Sequence, residues 1–496
     1  MSAWPASVWH EPRLLINGEL VGAEGDRTFG SVNPATEQVI AQAANATVGD
    51  AERAIAAARA AFDEGRWATD SAFRAHCLHQ LVAALHDNVE VLRTLTVAEV
   101  GAPVSTTKGP QLEGAIGVLD YYAGLAESFD GTLDLGATET RGSLHHRWVE
   151  REPYGVISAI SAYNYPTQLN LAKLAPALAA GCTMVLKGAP DTPLITLALG
   201  KLIAEQTDIP AGVINILASS EAAVGAVMTT DARVDMITFT GSTEIGRTIM
   251  AAASATLKKC FLELGGKSAY LVLDDDVLAH AAMFCSFAAG SHAGQGCAIP
   301  TRLVVPRARL DDAIGMVVAT LQGLKVGDPT DPTTYLGPLI SDKQRQRVQA
   351  HVDRAVSDGA TIATGGKAPV DLDTGWFFEP TLIVGADENS AIAQEEIFGP
   401  VLVILPHVGD DDAVRIANNS IYGLSGSIHA SDRDRALAVA RRVRTGTLSI
   451  NGGMYNTPDA PFGGYKQSGF GREMGVAGLE EFLQTKLYAE PQPPYA

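Results

Sequence analysis

The sequence is poor in cysteine and in basic residues. Its 496 residues include five cysteines, an odd number, and no two of them form a Cys-x-x-Cys pair. A disulfide framework and a structural zinc site are therefore not expected, and a reducing compartment is favoured. The 37 lysines and arginines are outnumbered by 56 aspartates and glutamates, which gives a net charge of −19 at pH 7. Nucleic acid is not expected as a partner, because it requires a basic surface.

Long apolar runs are also missing. The charge-free run of residues 154–172 contains two asparagines, a glutamine and a proline, which argue against a membrane-spanning helix. Residues 1–13 lack the basic and apolar regions of a secretory signal. We therefore expect a cytoplasmic protein without a membrane partner. The hydrophobic content of 46% is sufficient for the cores of two or three domains.

The order of the predicted elements indicates an α/β fold. Between residues 154 and 257, four short apolar strands ("GVISAIS", "TMVLK", "GVINILAS" and "DMITFTG") alternate with helices. This alternation predicts βαβ units and a doubly wound parallel sheet that is covered on both faces. A second α/β series follows, from residue 268 to about residue 450. Ligands of such sheets bind outside the carboxyl ends of the strands.

Two further regions complete the predicted organisation. Residues 49–65 and 71–95 have the apolar spacing of two amphipathic helices. The turn-rich, alternating segment 131–155 predicts a β-hairpin, and residues 480–490 predict a strand near the C-terminus. A projecting hairpin with a terminal strand is a candidate oligomerisation device.

Three side chains at the predicted sheet ends could together transfer an acyl group. They are Asn164 in "SAYNYP", Glu263 in "LELGGK" and Cys297 in "GQGC". A thiolate can attack a carbonyl carbon, a side-chain amide can stabilise the resulting oxyanion, and a carboxylate can act as base. Taken singly, each has a plainer interpretation: a buried thiol, a capping or solvated carboxylate, and a turn residue. The stretch "FTGSTEIG" is not G-x-G-x-x-G and is by itself a weak phosphate-loop signal.

Taken together, the motifs resemble the aldehyde dehydrogenase superfamily. The order Asn164, Glu263, Cys297 is followed by "EEIFGP" at 395–400 and "PFGGYKQSGFGRE" at 461–473, and the resemblance extends over nearly the whole chain. It implies a variant Rossmann cofactor-binding domain, a second α/β catalytic domain and a small β oligomerisation arm. The corresponding segments are 1–130 with 152–262, then 263–465, and finally 131–151 with 476–496. A homo-oligomer, either a dimer or a tetramer, is expected.

The resemblance also implies a hydrolytic mechanism. Cys297 would attack the aldehyde to form a thiohemiacetal, and hydride transfer to a nicotinamide would leave a thioester. Glu263 would activate the water that hydrolyses this thioester to a carboxylic acid. Asn164 and the backbone N–H of Cys297 would form the oxyanion hole, and Lys173 matches a proposed proton-relay lysine. Gly294 and Gly296 are expected to keep bulk away from the thiol.

Cofactor-binding positions follow from the same resemblance. Lys187 would bind the adenosine ribose, and Ser242 would meet the pyrophosphate at a helix N-terminus, where free N–H groups favour anions. Glu396 would hold the nicotinamide ribose, although Glu395 and Glu396 could instead be a solvated pair, and Phe398 would pack against the nicotinamide end. The other predicted positions are Ser161, Tyr163, Gly225, Gly241 and Leu264.

Two departures from the family pattern concern the cofactor. Tyr163 replaces the usual tryptophan, and Pro190 replaces the glutamate that usually binds the ribose hydroxyls and repels a 2′-phosphate. Asp191, one residue later, is a candidate substitute. We therefore expect NAD, with NADP not excluded.

The predicted aldehyde pocket contains no arginine or lysine that could bind a carboxylate. Its residues are Tyr165, Leu169, Ala172, Gly296, Ala298 and Phe462. We expect an uncharged and bulky or aromatic aldehyde, with a generic, promiscuous pocket as the alternative. A rival function is the coenzyme-A-acylating branch of the family, whose members tend to lack the glutamate present here as Glu263. A second rival is a non-catalytic binding protein on the same fold.

Overall fold

The computed structural model describes residues 9–491, and the mixed α/β fold expected from the sequence is confirmed. The N-terminal residues 1–8 of the predicted cofactor-binding domain and residues 492–496 of the predicted arm lie outside the described residues. Within 9–491, no helix is both long and apolar enough to cross a membrane.

The helices are distributed along the whole described chain. They are α1 (Val48–Glu64), α2 (Ser71–Asp87), α3 (Val89–Val100), α4 (Glu113–Ser128), α5 (Pro166–Ala180), α6 (Pro193–Gln206), α7 (Ala222–Thr230), α8 (Thr243–Ala253), α9 (Leu278–Gly290), α10 (Leu310–Gln322), α11 (Asp342–Ser357), α12 (Ala391–Gln394), α13 (Asp410–Asn418), α14 (Arg433–Ala440) and α15 (Gly475–Glu480).

The strands form four sheets. They are β1 (Leu14–Ile16), β2 (Glu19–Val21), β3 (Thr28–Val32), β4 (Val39–Ala44), β5 (Thr132–Thr140), β6 (Ser143–Pro153), β7 (Val156–Ile160), β8 (Thr183–Lys187), β9 (Ile214–Leu217), β10 (Met236–Thr240), β11 (Lys259–Glu263), β12 (Ser268–Val272), β13 (Pro300–Pro306), β14 (Thr361–Thr364), β15 (Thr381–Val384), β16 (Val401–His407), β17 (Gly426–His429), β18 (Ser449–Ile450), β19 (Gly469–Phe470) and β20 (Leu483–Pro491).

The first sheet has the order β19-β11-β10-β7-β8-β9-β1-β2. Its five central strands, β11 to β9 in that order, are parallel, and the residues of β8, β9 and β10 are all buried. This agrees with the near-continuous apolar runs in the sequence, because helices cover both faces of such a sheet. The sequence did not indicate β1, β2 or β19, since strands of two or three residues are too short to show a period.

The second sheet has the order β14-β15-β16-β13-β12-β17-β18 and is parallel except at β14. The third sheet consists of the predicted hairpin β5–β6 and the C-terminal β20, in the order β20-β6-β5. β20 pairs antiparallel with β6 from Leu483 opposite Pro153 to Pro491 opposite His145. The two segments of the predicted arm, which contain the hairpin β5–β6 and the strand β20, therefore form one small sheet. The hairpin β3–β4 makes up the fourth sheet.

The helix predicted over 71–95 is in fact two helices that meet at Asn88. This residue has φ −108° and ψ 14°, outside the helical region. Its side-chain amide donates a hydrogen bond to the carbonyl of Ala84, at 2.8 Å. An asparagine that satisfies a terminal carbonyl in this way competes with continuation of the helix. The apolar spacing runs through the break, so the periodicity alone did not show it.

A buried carboxylate caps helix α6 from outside that helix. Glu99, in α3, accepts hydrogen bonds from the backbone N–H groups of Leu194 and Ile195, at 2.7 and 2.9 Å, and from the Ser31 hydroxyl, at 2.7 Å. These N–H groups belong to the first turn of α6 and have no partner within the helix. Burial, the largest effect, raises the pKa of Glu99 to about 7. Glu99 thus joins the α3 layer to the sheet-covering helix α6.

We expect Glu99→Ala to lower the free energy of unfolding by about 2–3 kcal/mol, because it leaves buried N–H groups without an acceptor. Urea unfolding followed by fluorescence measures this change. The matched control is Glu90→Ala on the same helix, where an exposed carboxylate pairs with Arg93 and we expect a change within about 0.5 kcal/mol. Equal losses in the two variants would contradict the capping role.

Candidate active site

Four predicted site residues lie at one edge of the first sheet. Asn164 follows β7, Lys187 ends β8, Ser242 follows β10 and Glu263 ends β11. These strands are parallel, so their carboxyl ends meet at the same edge. Ligand-binding groups from distant parts of the sequence are thereby brought into one crevice.

A link of four residues, 264–267, joins this edge to the second sheet. A Cβ on Gly265 would lie 2.5 Å from Oε2 of Glu396, and a Cβ on Gly266 would lie 2.4 Å from the carbonyl oxygen of Cys297. The N–H of Gly266 also donates to Oε1 of Glu396, at 2.9 Å. The link therefore touches both the predicted nucleophile and the predicted ribose-binding carboxylate, and it has no space for side chains at these two positions.

The loop before Cys297 is a tight turn. His292, Ala293 and Gly294 have φ values of 47°, 52° and 72°, so three consecutive residues are left-handed. Two of them are not glycine, which costs free energy and requires a well-packed surrounding. A Cβ on Gly294 would lie 2.1 Å from the carbonyl oxygen of Gly399. The glycine at 294 thus allows the loop to pack against the 399 backbone rather than opening space beside the thiol.

Gly296 does lie beside the reactive position. A Cβ there would lie 2.7 Å from Cδ1 of Ile299 and 3.7 Å from the hydroxyl oxygen of Tyr165. Tyr165 is the N-cap residue directly before helix α5, and its ring centroid lies 5.2 Å from that of His292. The predicted pocket residues Tyr165 and Gly296 are therefore close to each other and to Cys297.

The side chain of Asn164 has a fixed orientation next to the loop 292–296 that precedes Cys297. Its Nδ2 donates to the carbonyl of Gln295, at 3.0 Å, and its own backbone carbonyl accepts from Nε2 of Gln111, at 2.8 Å. An amide nitrogen carries two hydrogens. One is bonded to Gln295, which leaves the second available to an oxyanion.

Glu263 is a buried carboxylate without a hydrogen-bond donor. Neither of its oxygens has a partner among residues 9–491. Burial raises its pKa well above the ordinary value, and the neighbouring Glu473 raises it further, whereas Lys173 and Arg472 lower it. A carboxyl group whose pKa is raised in this way is suited to take up a proton near neutral pH.

Lys173 and Glu473 form a buried ion pair next to Glu263. The Lys173 Nζ lies 3.0 Å from Oε1 of Glu473 and donates to the hydroxyl of Thr238, at 3.3 Å. Both charged side chains are almost fully buried. The backbone of Glu473 pairs with that of Phe462, with two hydrogen bonds of 2.7 Å, so the ion pair is tied to the predicted pocket wall.

The Cys297 thiol lies among carboxylates. Burial raises its pKa, and the charges of Glu263, Glu396 and Glu473 raise it further. Cys297 is one of five free cysteines in the described residues. Without a bound ligand, the protonated thiol is therefore the stable form at neutral pH.

The predicted cofactor residues fit a dinucleotide. Ser242 is the N-cap of α8, where its hydroxyl accepts from the N–H of Ile245, at 3.3 Å. The neighbouring Thr240 hydroxyl is buried without a partner. Lys187 donates to the carbonyl of Gly188, at 3.2 Å, and burial lowers its pKa to about 8 while Asp191 raises it. A helix N-terminus, free hydroxyl and ammonium donors and the Glu396 carboxylate match phosphate and ribose groups.

The two aromatic cofactor positions are in contact with each other. The rings of Tyr163 and Phe398 lie edge to face, with centroids 5.9 Å apart. Phe398 has φ 59°, a strained conformation for a non-glycine residue. Burial raises the pKa of Tyr163 above its ordinary value. Both rings are adjacent to the Glu396 segment.

The other cofactor positions have mainly packing roles in this structure. The Ser161 hydroxyl donates to Oδ1 of Asn170, at 2.6 Å, and the Gly241 N–H donates to the carbonyl of Glu263, at 3.0 Å. Leu264 fills the space above Gly246. Gly225 lies on α7, and no other side chain lies within 4 Å of the position of its Cβ.

The remaining pocket positions differ in their surroundings. Leu169 and Ala172 are both buried on α5, and Ala172 belongs to the main hydrophobic core. Ala298 follows the nucleophile directly and is partly exposed. No group of three or more potential metal ligands occurs within 9–491.

Several polar residues of the site were not identified from the sequence. Glu473 and Gln295 were parts of quoted motifs but were given no role, and Gln111 was not considered. Arg347 donates to the carbonyl of Glu396, at 3.0 Å, and Tyr455, whose hydroxyl lies 2.6 Å from that of Ser425, is near enough to Cys297 to sense its charge. Glu473 and Gln295 had a sequence signal, their place in a motif.

The chain is similar to known proteins over almost its whole length. A sequence model described as "Aldehyde dehydrogenase family" matches residues 21–488. Betaine aldehyde dehydrogenase from Bacillus subtilis (strain 168) is 37% identical over 484 residues, which are 97% of this chain and 98% of that protein.

Two solved structures have the same fold. Betaine aldehyde dehydrogenase from Staphylococcus aureus in complex with NAD+ is 35% identical, with a TM-score of 0.93, and covers 98% of this chain and 96% of that one. A mutant of aldehyde dehydrogenase C from Pseudomonas syringae, in complex with NAD+ and octanal, is 36% identical, with a TM-score of 0.90 and coverage of 97% and 96%.

The carboxylates around Cys297 lead to a prediction for the ligand-free protein. We expect its alkylation by iodoacetamide to keep rising with pH beyond about 8.5, the ordinary pKa of a cysteine. Glu263→Gln removes one of the negative charges that raise the thiol pKa, so its alkylation profile should shift to lower pH. Mass spectrometry of the peptide containing Cys297 measures the rate. An alkylation profile that is unchanged in this variant, or shifted to higher pH, would show that Glu263 and the Cys297 thiol do not interact.

Proposed function

Because the chain belongs to the aldehyde dehydrogenase family, we propose that it oxidises an aldehyde to a carboxylic acid through a thioester on Cys297, with NAD as the cofactor. The observation that supports the hydrolytic route most directly is the buried carboxylate of Glu263, both of whose oxygens lack a partner beside the thiol. A carboxylate kept free of donors at this point can accept a proton from water.

Cys297 acts as the nucleophile. Its thiol proton passes to the carboxylate of Glu263 and on to the Lys173–Glu473 pair, and the thiolate sulfur attacks the carbonyl carbon. The carbonyl oxygen becomes an oxyanion that accepts hydrogen bonds from the free Asn164 amide hydrogen and from the Cys297 N–H. Such preorganised donors stabilise the charge that develops in the transition state. When bound, NAD supplies the hydride acceptor for the oxidation of the thiohemiacetal to the thioester.

Glu263 then serves as the general base for hydrolysis. It takes a proton from water, the resulting hydroxide oxygen bonds to the thioester carbon, and the C–S bond breaks to release the carboxylic acid. We assign the Lys173–Glu473 pair the role of receiving the proton that Glu263 must lose before the next cycle. The charge coupling between Glu263, Glu473 and Lys173 supports this assignment.

Residues around the cofactor region favour NAD over NADP. Lys187, Ser242, Glu396 and Phe398 would hold the dinucleotide, and the similar structure from Staphylococcus aureus contains NAD+. Asp191 is near enough to Lys187 to raise its pKa. A carboxylate at this place repels a 2′-phosphate, so Asp191 supplies the charge that Pro190 cannot.

The pocket favours an uncharged, bulky or aromatic aldehyde. Tyr165, Tyr455 and Phe462 provide aromatic surface near Cys297 or Glu473, and none of the six predicted pocket residues is charged. The similar structure from Pseudomonas syringae contains octanal. Aromatic rings can also bind a trimethylammonium group, and a relative is named for betaine aldehyde. Betaine aldehyde, which is cationic, is therefore the most informative substrate to compare with the uncharged aldehydes.

We further propose a cytoplasmic homo-oligomer in which 131–151 and 476–496 form the contact arm, 1–130 with 152–262 the cofactor domain, and 263–465 the catalytic domain. The arm sheet has exposed apolar side chains at Leu133, Leu144 and Leu487. Exposed apolar side chains on a projecting sheet are typical of a surface that pairs with another copy.

We expect Glu263→Gln to separate the two half-reactions. NADH should form in a burst of about one equivalent per active site, followed by a steady rate at least about 100-fold lower than that of the unaltered protein, since general bases contribute 10²–10⁴-fold. Stopped-flow absorbance at 340 nm measures both phases. A normal steady rate would exclude Glu263 as the base, and acyl-coenzyme A formation on adding coenzyme A would favour the acylating branch instead.

We expect benzaldehyde or octanal to be oxidised with a kcat/KM at least about 10-fold above that of succinate semialdehyde, because no cation in the pocket compensates for burying a carboxylate. The panel includes betaine aldehyde and is read with NAD and with NADP. Preference for succinate semialdehyde or betaine aldehyde would refute the uncharged class, and equal use of NADP would refute the role of Asp191.

A further inference from the structure

Two buried glutamines contact Asn164, one at its backbone carbonyl and the other at its side-chain amide. Gln111 lies before α4 and Gln295 lies two residues before Cys297, and both are fully buried. Gln111 holds the backbone carbonyl of Asn164 and Gln295 accepts from its side chain, at 2.8 and 3.0 Å. We propose that Gln111 and Gln295 are positioning residues that set the place and rotation of the Asn164 amide; this rests on the oxyanion role given above.

The backbone at Asn164 needs an external donor. The residue lies in the segment between β7 and α5, and the first residue of that helix is Pro166. The carbonyl of Tyr165 accepts from the N–H of Leu169 as part of the helix, whereas the carbonyl of Asn164 accepts from Gln111. The amide of Gln111 therefore fixes the backbone of Asn164 at a point where regular structure does not.

Gln111 is retained at an energetic cost. Its Oε1 is buried and has no partner within the described chain, while its Nε2 is bonded to Asn164. An unpaired buried acceptor costs about 1–3 kcal/mol. An apolar side chain of the same size would avoid this cost but would remove the hydrogen bond from Gln111 to the Asn164 carbonyl. The contact with Asn164 is thus the distinctive property of a glutamine here.

Gln295 ties the other side of Asn164 to the rest of the site. Its Oε1 accepts from the N–H of Ile340, at 3.0 Å, and its Nε2 is within 3.4 Å of the Pro338 carbonyl. Its own carbonyl oxygen accepts one hydrogen of the Asn164 amide. Because that amide is planar, bonding one hydrogen fixes the direction of the other.

The position of Asn164 is therefore determined jointly by two parts of the chain that are distant in sequence. Gln111 belongs to the helical layer next to α4, and Gln295 belongs to the loop that presents the nucleophile. An oxyanion donor must be held within a fraction of an ångström, since electrostatic stabilisation depends on distance and direction. The two glutamines supply that precision without contacting the reacting atoms.

The test is a double-mutant cycle that combines Gln111→Met with Asn164→Ala. The methionine keeps the approximate volume but cannot donate. We expect Gln111→Met alone to lower kcat/KM for the best aldehyde of the panel by about 10-fold, mostly through kcat. In the Asn164→Ala background, the same change should alter kcat/KM by less than about 2-fold, because its effect passes through Asn164.

The controls separate positioning from stability. Gln80→Met removes an amide that donates to Asp208 at the surface, at 2.8 Å, and should leave kcat/KM unchanged. NAD binding, measured by fluorescence quenching, should be the same in all variants. If Gln111→Met does not fold, Gln111→Glu replaces it, and its effect must likewise vanish in the Asn164→Ala background.

Each outcome has a distinct meaning. Multiplicative losses in the double variant would overturn the positioning role, because a purely structural defect adds to the loss of Asn164. Full activity of Gln111→Met together with an impaired Asn164→Ala would overturn this inference and leave the proposed reaction intact. Full activity of Asn164→Ala would overturn both this inference and the oxyanion role of Asn164.

Discussion

The close packing of the link, residues 264–267, constrains the whole candidate site. Gly265 lies against Glu396 and Gly266 against the backbone of Cys297, with distances that exclude a Cβ at either position. Glu263 ends the strand directly before the link. The link therefore brings the backbone next to Glu263 into contact with Glu396 and with the backbone of Cys297, the three residues to which we assign the base, the ribose-binding carboxylate and the nucleophile.

The far end of the link is held by a buried arginine. Arg302 donates to the carbonyl of Lys267, at 2.9 Å, and to the carbonyls of Ile416 and Ala417, also at 2.9 Å. The latter two are among the last residues of α13, whose C-terminal carbonyls lack partners within the helix and favour a positive charge. One guanidinium group thus connects the link, the strand β13 that follows Cys297, and a helix of the second sheet. Its burial is tolerated because carbonyl oxygens accept its hydrogens.

The sequence predicted most of the fold and the central residues of the site, for different reasons. The parallel strands and long helices have strong local periodicity, and the fold class follows from their alternation. Asn164, Glu263 and Cys297 were predicted as site residues because their motifs occur in a known order. Local patterns could not reveal the break at Asn88, since apolar spacing continues through it.

Local patterns in the sequence could not identify the contact partners of the central residues. Lys173 and Glu473 are 300 residues apart, and Gln111 and Asn164 are 53 residues apart. Their contacts exist only once the sheets are assembled, and no spacing in the sequence encodes them. The same applies to Gly294: the sequence showed a permissive backbone, but only the fold showed that the Gly399 carbonyl requires it.

Six of the fourteen unpaired buried side-chain N and O atoms of the described residues belong to residues that form the candidate site or lie next to it. They are both oxygens of Glu263, Oε1 of Gln111, the hydroxyl of Thr240, Nζ of Lys267 and Nε2 of His292. These atoms belong to residues at the link, in the loop 292–296 before Cys297 and near the start of α8, and to Gln111, which contacts Asn164. A folded protein pairs most of its buried polar groups, so a group of exceptions around one crevice has a physical meaning. Under the function proposed above, a bound water, aldehyde or dinucleotide would supply partners to the unpaired atoms of Glu263 and Thr240.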